Sequence, residues 1–318
     1  MKRKIRFSIG ILITLFFIYL SFKKVNFANL FKLIKNTDLK FLIFAIIVFF
    51  IGYTIRVERW RITLLRENRN LKWINCAGPF FASITYNNIL PLRAGDILRA
   101  FTFGPRLKIS NTVSIASLLL ERILDISMLF LFLCVSFIFF GNIISTLLGI
   151  GSVILLFICL LVFLFLFYPF LFEKVFYRNF GFLKRINPLL FKKIEFVLFQ
   201  LIDFIKSIKE QKVLLRLFFL SFFAWLCEAF VFWLIAHSIS SLNIKMASWV
   251  AMPIGTLSTI IPSTPGYIGT FDYFTSQSMI ISGNSIQESL SFAILTHLVL
   301  WLPSTLVGCL YLIKKLKF

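Results

Sequence analysis

Residues 112–140 read TVSIASLLLERILDISMLFLFLCVSFIFF, an apolar run interrupted near its centre by Glu121, Arg122 and Asp125. At about 1.5 Å per residue a helix of this length crosses the roughly 30 Å hydrocarbon core of a bilayer. At about 100° per residue Glu121 and Asp125 fall within about 40° of each other and Arg122 about 60° from Asp125. Ser114 and Ser117 lie on the same side. Turned toward lipid, three charges would cost on the order of 7–10 kcal/mol even on insertion-based scales. The run is therefore read as a transmembrane helix whose charged face meets protein or water. Two roles fit that face, a paired cluster that locks helices together or the polar wall of a path through the membrane.

Composition carries the same reading outward to the whole chain. Of 318 residues, 59% are hydrophobic and 15% charged, and Phe alone fills 42 positions. Soluble chains carry roughly a quarter charged residues and less than half apolar ones. A cytosolic enzyme, a secreted disulfide module and a disordered tail are excluded. Lys and Arg number 34 against 13 Asp and Glu, a formal net charge of +21. On so apolar a background that excess points to anionic headgroups, not nucleic acid. The cysteines Cys76, Cys134, Cys159, Cys227 and Cys309 are scattered without a CxxC pair, and the chain has two histidines, so no metal site is expected. Without a Walker motif, dinucleotide fingerprint or nucleophile elbow, the sequence indicates no cofactor and no catalytic residue.

Further runs long enough to span lie at 41–62, 143–169, 213–237 and 287–313. A first span is read at 7–22, because its basic start resembles a signal peptide but no small-x-small cleavage site follows. Regions 74–103 and 248–282 are apolar but broken by Pro, Gly and polar residues, and 248–261 would reach only about 21 Å as a helix. Each is read as a re-entrant hairpin, two helical arms meeting at a non-helical tip. Lys and Arg concentrate in the loops at 66–72, 106–108 and 170–212 and in the C-terminal tail, which places both termini in the cytoplasm. Loop 23–40, with five lysines, then falls outside, against the rule. The spacing of Leu190, Ile194, Val197, Leu201, Phe204, Ile205 and Ile208 fits either an amphipathic helix lying on the inner leaflet or a solvated loop.

The two broken segments resemble each other. Ile89-Leu90-Pro91-Leu92-Arg93-Ala94-Gly95 and Ile260-Ile261-Pro262-Ser263-Thr264-Pro265-Gly266 share Ile-[Leu/Ile]-Pro-x-x-x-Gly. Pro91 and Pro262 stand at distances from residues 41 and 213 that agree to within one residue. Span, hairpin, span thus repeats as 41–140 and 213–313, with the span 143–169 between them inverting the second half. The expected fold is a single all-α polytopic membrane domain over residues 1–318. It has about six spanning helices and two re-entrant hairpins in an inverted repeat, with a cytoplasmic amphipathic loop at 170–212.

Arg56 lies inside the end of its span, and Arg93 and Arg99 flank the helix start at Gly95; all three suit phosphate binding. Glu228 sits near the centre of 213–237 and calls for a cationic partner, for which Arg93 and Arg99 are the candidates. His297, near the centre of 287–313, is read as an interhelical contact.

Four motifs in series carry a family resemblance. They are Arg56-x-x-Arg59-Trp60-x-x-x-Leu64-Leu65, Asn88-x-x-Pro91-x-x-Ala94-Gly95-Asp96-x-x-Arg99, Glu121-Arg122-x-x-Asp125 and Pro262-x-x-Pro265-Gly266-x-x-Gly269. Together they resemble the lysylphosphatidylglycerol synthase transmembrane, flippase-like family. Asp272 stands where relatives often have Glu. The resemblance implies a lipid transporter of the cytoplasmic membrane, in a form without the soluble lysyltransferase domain. Its substrate would be an anionic or modified phospholipid, or a polyprenyl-linked lipid, moved between leaflets. Taken with the charges inside the spans, the residues expected to meet substrate are Arg56, Arg59, Asn88, Arg93, Asp96, Arg99, Glu121, Arg122, Asp125, Glu228 and Asp272, with Pro91, Gly95, Pro262, Pro265, Gly266 and Gly269 at the gating tips. Membrane phospholipids are the expected partners, with a separate lipid-modifying enzyme as a further one. The alternatives are a membrane component of lysyltransferase-type lipid modification and a membrane-embedded headgroup transferase.

Overall fold

A computed structural model describes residues 2–23, 25–90, 93–140, 187–207, 211–261 and 264–316, with a few positions between 141 and 186. Every regular element among them is helical, and the protein is an all-α, multi-pass membrane protein. Helices α1 (Lys2–Phe22), α2 (Phe27–Lys35) and α3 (Leu39–Leu64) are followed by α4 (Trp73–Ile89), α5 (Ala94–Leu98) and α6 (Gly104–Arg106). After α7 (Asn111–Phe140) come α8 (Pro188–Ser207) and α9 (Gln211–Ser238). The chain ends with α10 (Ser248–Ser258), α11 (Thr270–Ile281) and α12 (Ile286–Leu316).

Four of these, α3, α7, α9 and α12, are each long and apolar enough to cross a membrane. Helix α1 turns through 85° into α2, and the bent pair would make a fifth span. The reading of 23–40 as a loop is thus corrected, since nine of its residues form α2. The break has a local cause. The Asn26 side chain accepts hydrogen bonds from the Ala28 and Asn29 N–H groups and starts a new helix, and Asp38 does the same for α3 through the Lys40 N–H. The span expected over 143–169 falls almost wholly outside the described residues.

Both broken regions are broken. In the first, α4 ends at Ile89 with Leu90 as its cap, and Arg93 takes the left-handed conformation (φ 52°) before α5. Helix α5 runs through a π-helical turn at Arg99–Phe103 into α6. In the second, α10 and α11 have 11 and 12 residues, too short to cross. Between them Gly266 (φ 73°) and Gly269 (φ 84°) take left-handed turns that glycine adopts without strain. Pro91 and Pro262 lie outside the described residues.

Packing is reciprocal between the halves. Helix α3 lies along α9, α4 packs on α12, and α10 packs on α7, so each hairpin leans on the last span of the other half. Glycines let these backbones approach. A Cβ at Gly52 would sit 3.0 Å from the Cys227 Cβ, and one at Gly308 would sit 2.4 Å from the Phe81 carbonyl oxygen. Helix α8 forms where the periodicity placed it, but Ile202, Phe204 and Ile205 are buried with Ala116, Leu120 and Leu124. That part of its apolar face is docked on protein, while Leu189 and Phe196 stay exposed.

Candidate functional site

The two hairpin tips meet. The Arg93 guanidinium donates to Thr259 Oγ1 (3.1 Å) and lies 5.8 Å from the Tyr267 ring centre, joining the first tip to the second hairpin. Beside this contact lies a cavity of about 230 Å³. Its wall is made by Tyr53 and Arg56 of α3, Asn87 and Asn88 of α4, Arg122 and Asp125 of α7, and Trp225 and Glu228 of α9. Thr256, Thr259, Gly266 and Tyr267 of the second hairpin and His297 and Trp301 of α12 complete the polar part of the lining.

The charges in the wall are tied down by partners far away in sequence. Arg56 pairs with Glu228 at 2.5 Å and stacks over Trp225. This corrects the expected partners of Glu228, Arg93 and Arg99. Gly52 lets α3 lie against α9 at Cys227, the residue before Glu228, and the cation that meets Glu228 comes from α3. Asp125 accepts from Arg59 (2.7 Å) and from the Trp225 indole N–H (3.0 Å), and Arg59 also donates to Ser221 Oγ. Arg122 donates to Asp96 at 2.7 Å, and Asp96 is held in turn by the Asn87 side-chain amide at 3.0 Å. Arg99 donates to Glu121 at 2.8 Å and packs against the rings of Trp60 and Phe80. The three charges of the 112–140 run therefore each hold a different element, namely the π-helical turn, α5 and α3.

The residues named from sequence divide by position. Arg56, Asn88, Arg93, Arg122, Asp125 and Glu228 line the cavity, as does Gly266 at the second tip. Arg59, Asp96, Arg99, Glu121 and Asp272 stand behind the wall and hold it. Among the arginines the contrast is large, since the side chains of Arg59 and Arg99 are 2% and 3% exposed while that of Arg122 is 37% exposed. Gly95 lies against α4, where a Cβ would come 1.8 Å from the Ser83 carbonyl oxygen. Pro265 opens the turn of the second tip, and Gly269 donates its N–H to Asp272 at 2.9 Å.

Sequence reasoning missed Tyr53, Asn87, Trp225, Thr259 and Trp301. A Trp at mid-span in 213–237 is the one signal that could have been used, because indoles otherwise gather at membrane interfaces. Two hydrogen-bond features of the lining stand out. Arg93 has no carboxylate within ion-pair distance among the described residues, and the buried Trp301 indole N–H has no partner there. Among the described residues, the cavity thus offers one cation bound to neutral oxygens, while the idle Trp301 N–H is buried within its wall.

Comparison with known proteins agrees with the motifs. The chain is 24% identical to the "UPF0104 membrane protein PH1989" of Pyrococcus horikoshii, over 98% of this chain and 97% of that protein. It is 26% identical to the "Glycosyltransferase AglD" of Haloferax volcanii over 124 residues, 39% of this chain and 20% of that protein. The pattern of the family described as "Lysylphosphatidylglycerol synthase TM region" matches residues 7–308. The chain belongs to that family.

Proposed function

We propose that the protein is a flippase-like lipid transporter that moves an anionic or modified phospholipid, or a polyprenyl-linked lipid, between the leaflets of the cytoplasmic membrane. The observation that carries this reading is Arg93, a cavity cation whose partners among the described residues are Thr259 and the Tyr267 face, on the same cavity wall as Trp301. Arg93 stands on the cavity wall with neutral oxygens for partners, which leaves its charge to be met by a phosphate headgroup. The neutralised pairs Arg56–Glu228 and Arg122–Asp96 make the rest of the wall polar with little net charge, a surface a headgroup can pass along. In this reading both termini lie on the cytoplasmic side, which the lysine-rich and arginine-rich stretches support, and the two halves are related by inversion.

The first test is of recognition. Purified protein titrated with phosphatidylglycerol and with phosphatidylcholine, read by native mass spectrometry, is expected to retain the anionic lipid preferentially. Arg93→Ala is expected to lower that preference about tenfold. Equal retention of both lipids by both proteins would count against the reading. Headgroup transfer is the second reading, favoured by the name of the Haloferax relative, and would yield a modified lipid in detergent micelles where there are no leaflets to cross.

A further inference from the structure

His297 lies on the cavity wall with hydrogen-bond acceptors on both sides of its ring. Nδ1 is 2.8 Å from Asp272 Oδ1, and Nε2 is 2.8 Å from the Gly266 carbonyl oxygen. A carbonyl oxygen can only accept, so the Nε2 contact requires a proton on Nε2. With Nε2–H in place, the Nδ1 contact requires one more proton, either on Nδ1 facing an ionised Asp272 or on Asp272 facing a bare Nδ1. The pair as built therefore holds one proton more than a neutral imidazole and a free carboxylate together. The second Asp272 oxygen is already engaged by the Gly269 N–H, so the carboxylate is fixed in place to share that proton.

We propose that His297 and Asp272 form a single-proton site that latches the second hairpin tip to α12, so that losing the proton releases the tip. On unloading, the proton passes to water in the cavity. Asp272 is left as a carboxylate and takes the one remaining imidazole N–H, and the Nε2 lone pair then opposes the Gly266 carbonyl. The ring bond to Gly266 is replaced by a repulsion. Phe271 packs edge-on against the imidazole and keeps it from turning freely.

The surrounding charges are accounted for. Across the cavity stand Tyr53 and Arg56 on α3, Arg122 and Asp125 on α7, Glu228 on α9, and Arg93 and Tyr267 on the tips. Helix α4 carries no charged side chain, with Cys76 and Tyr86 its titratable ones, while Lys32 and Lys35 on α2 are exposed. On α11, Tyr273 packs against Phe17 of α1. Among the described residues, Asp272 is the one group that bonds the imidazole through a shared proton. Under the transport reading of this cavity, on which this consequence rests, opening on the side of the second hairpin is coupled to a proton.

Hydrogen exchange in the full chain reads the latch without any transport. The reporters are the Tyr267 and Gly269 amides, bonded to the Thr264 carbonyl and to Asp272. In the wild type, tip protection corrected for intrinsic exchange is expected to fall about tenfold or more between about pH 5 and about pH 9, the loss of one charge-assisted bond. Asp272→Asn keeps an oxygen for Gly269 and presents an N–H to Nδ1, which leaves Nε2–H on Gly266 at every pH. It is expected to hold the tip protected at both ends of the range. His297→Gln is expected to show low, pH-independent protection, and it serves as the second variant if Asp272→Asn does not fold. Constant wild-type protection, or a variant that titrates as the wild type does, would overturn the latch. A titrating latch in a protein that moves no lipid would sink the transport reading instead.

Discussion

Arg56, Arg59, Arg93 and Arg99 come from the same half of the chain, and what each touches decides what it can do. Arg59 and Arg99 are enclosed and paired with Asp125 and Glu121. Removing one partner of such a pair strands the other charge in a low-dielectric interior, at roughly 3–5 kcal/mol. Arg59→Ala is expected to cost about that much stability, seen as a lowered thermal midpoint. Replacing the pair by Arg59→Met with Asp125→Leu is expected to restore most of it, because the stranded carboxylate is gone. Among the described residues Arg93 bonds only neutral oxygens at the cavity edge, so Arg93→Ala is expected to change stability by about 1 kcal/mol or less while weakening lipid retention. If Arg93→Ala lowered the midpoint as far as Arg59→Ala, its assignment as a free cation would be wrong. The sequence shows four similar arginines. It cannot sort them, because the partners of Arg56 and Arg59 lie 172 and 66 residues away and are set by which helices cross.

At the scale of the element, the hairpins depend on how closely their arms approach the neighbouring helices. Thr85 and Asn88 of α4 reach Thr305 of α12 at 3.2 and 2.8 Å, beside Gly308. A Cβ at Gly308 would come within 2.0 Å of Thr85 Oγ1 and 2.4 Å of a backbone oxygen, so α4 must shift to admit it. Gly308→Ala is expected to destabilise by roughly 1–3 kcal/mol, measured in detergent by thermal unfolding. An unchanged midpoint would mean that the α4–α12 approach is looser than described. The hairpin breaks were legible from Pro and Gly, since a broken apolar run too short to span has few other solutions. The break before α2 was not legible, because Asn26 and Asp38 cap helices inside what composition shows only as a lysine-rich loop. The docking of α8 escaped for a different reason, because an amphipathic period is the same whether the apolar face meets lipid or protein.

Over the whole molecule, the reciprocal packing of α4 on α12 and α10 on α7 is what two related halves would produce. If the halves are inverted, the bases of the two hairpins open to opposite sides of the membrane. Cysteines introduced at Lys72 and at Asn243, both exposed, are expected to react with an impermeant reagent from opposite faces of intact cells. Reaction of both from one face would rule out inversion.

The most direct measurement is lipid movement itself. The protein is reconstituted in vesicles with a trace of fluorescent phosphatidylglycerol, and the fraction reachable by an external quencher is followed over time. The account predicts that the protected inner-leaflet fraction falls in vesicles containing the wild type and falls much more slowly with Arg93→Ala. Wild-type vesicles in which the protected fraction stays as it does in protein-free ones, for anionic and polyprenyl-linked probes alike, would contradict it.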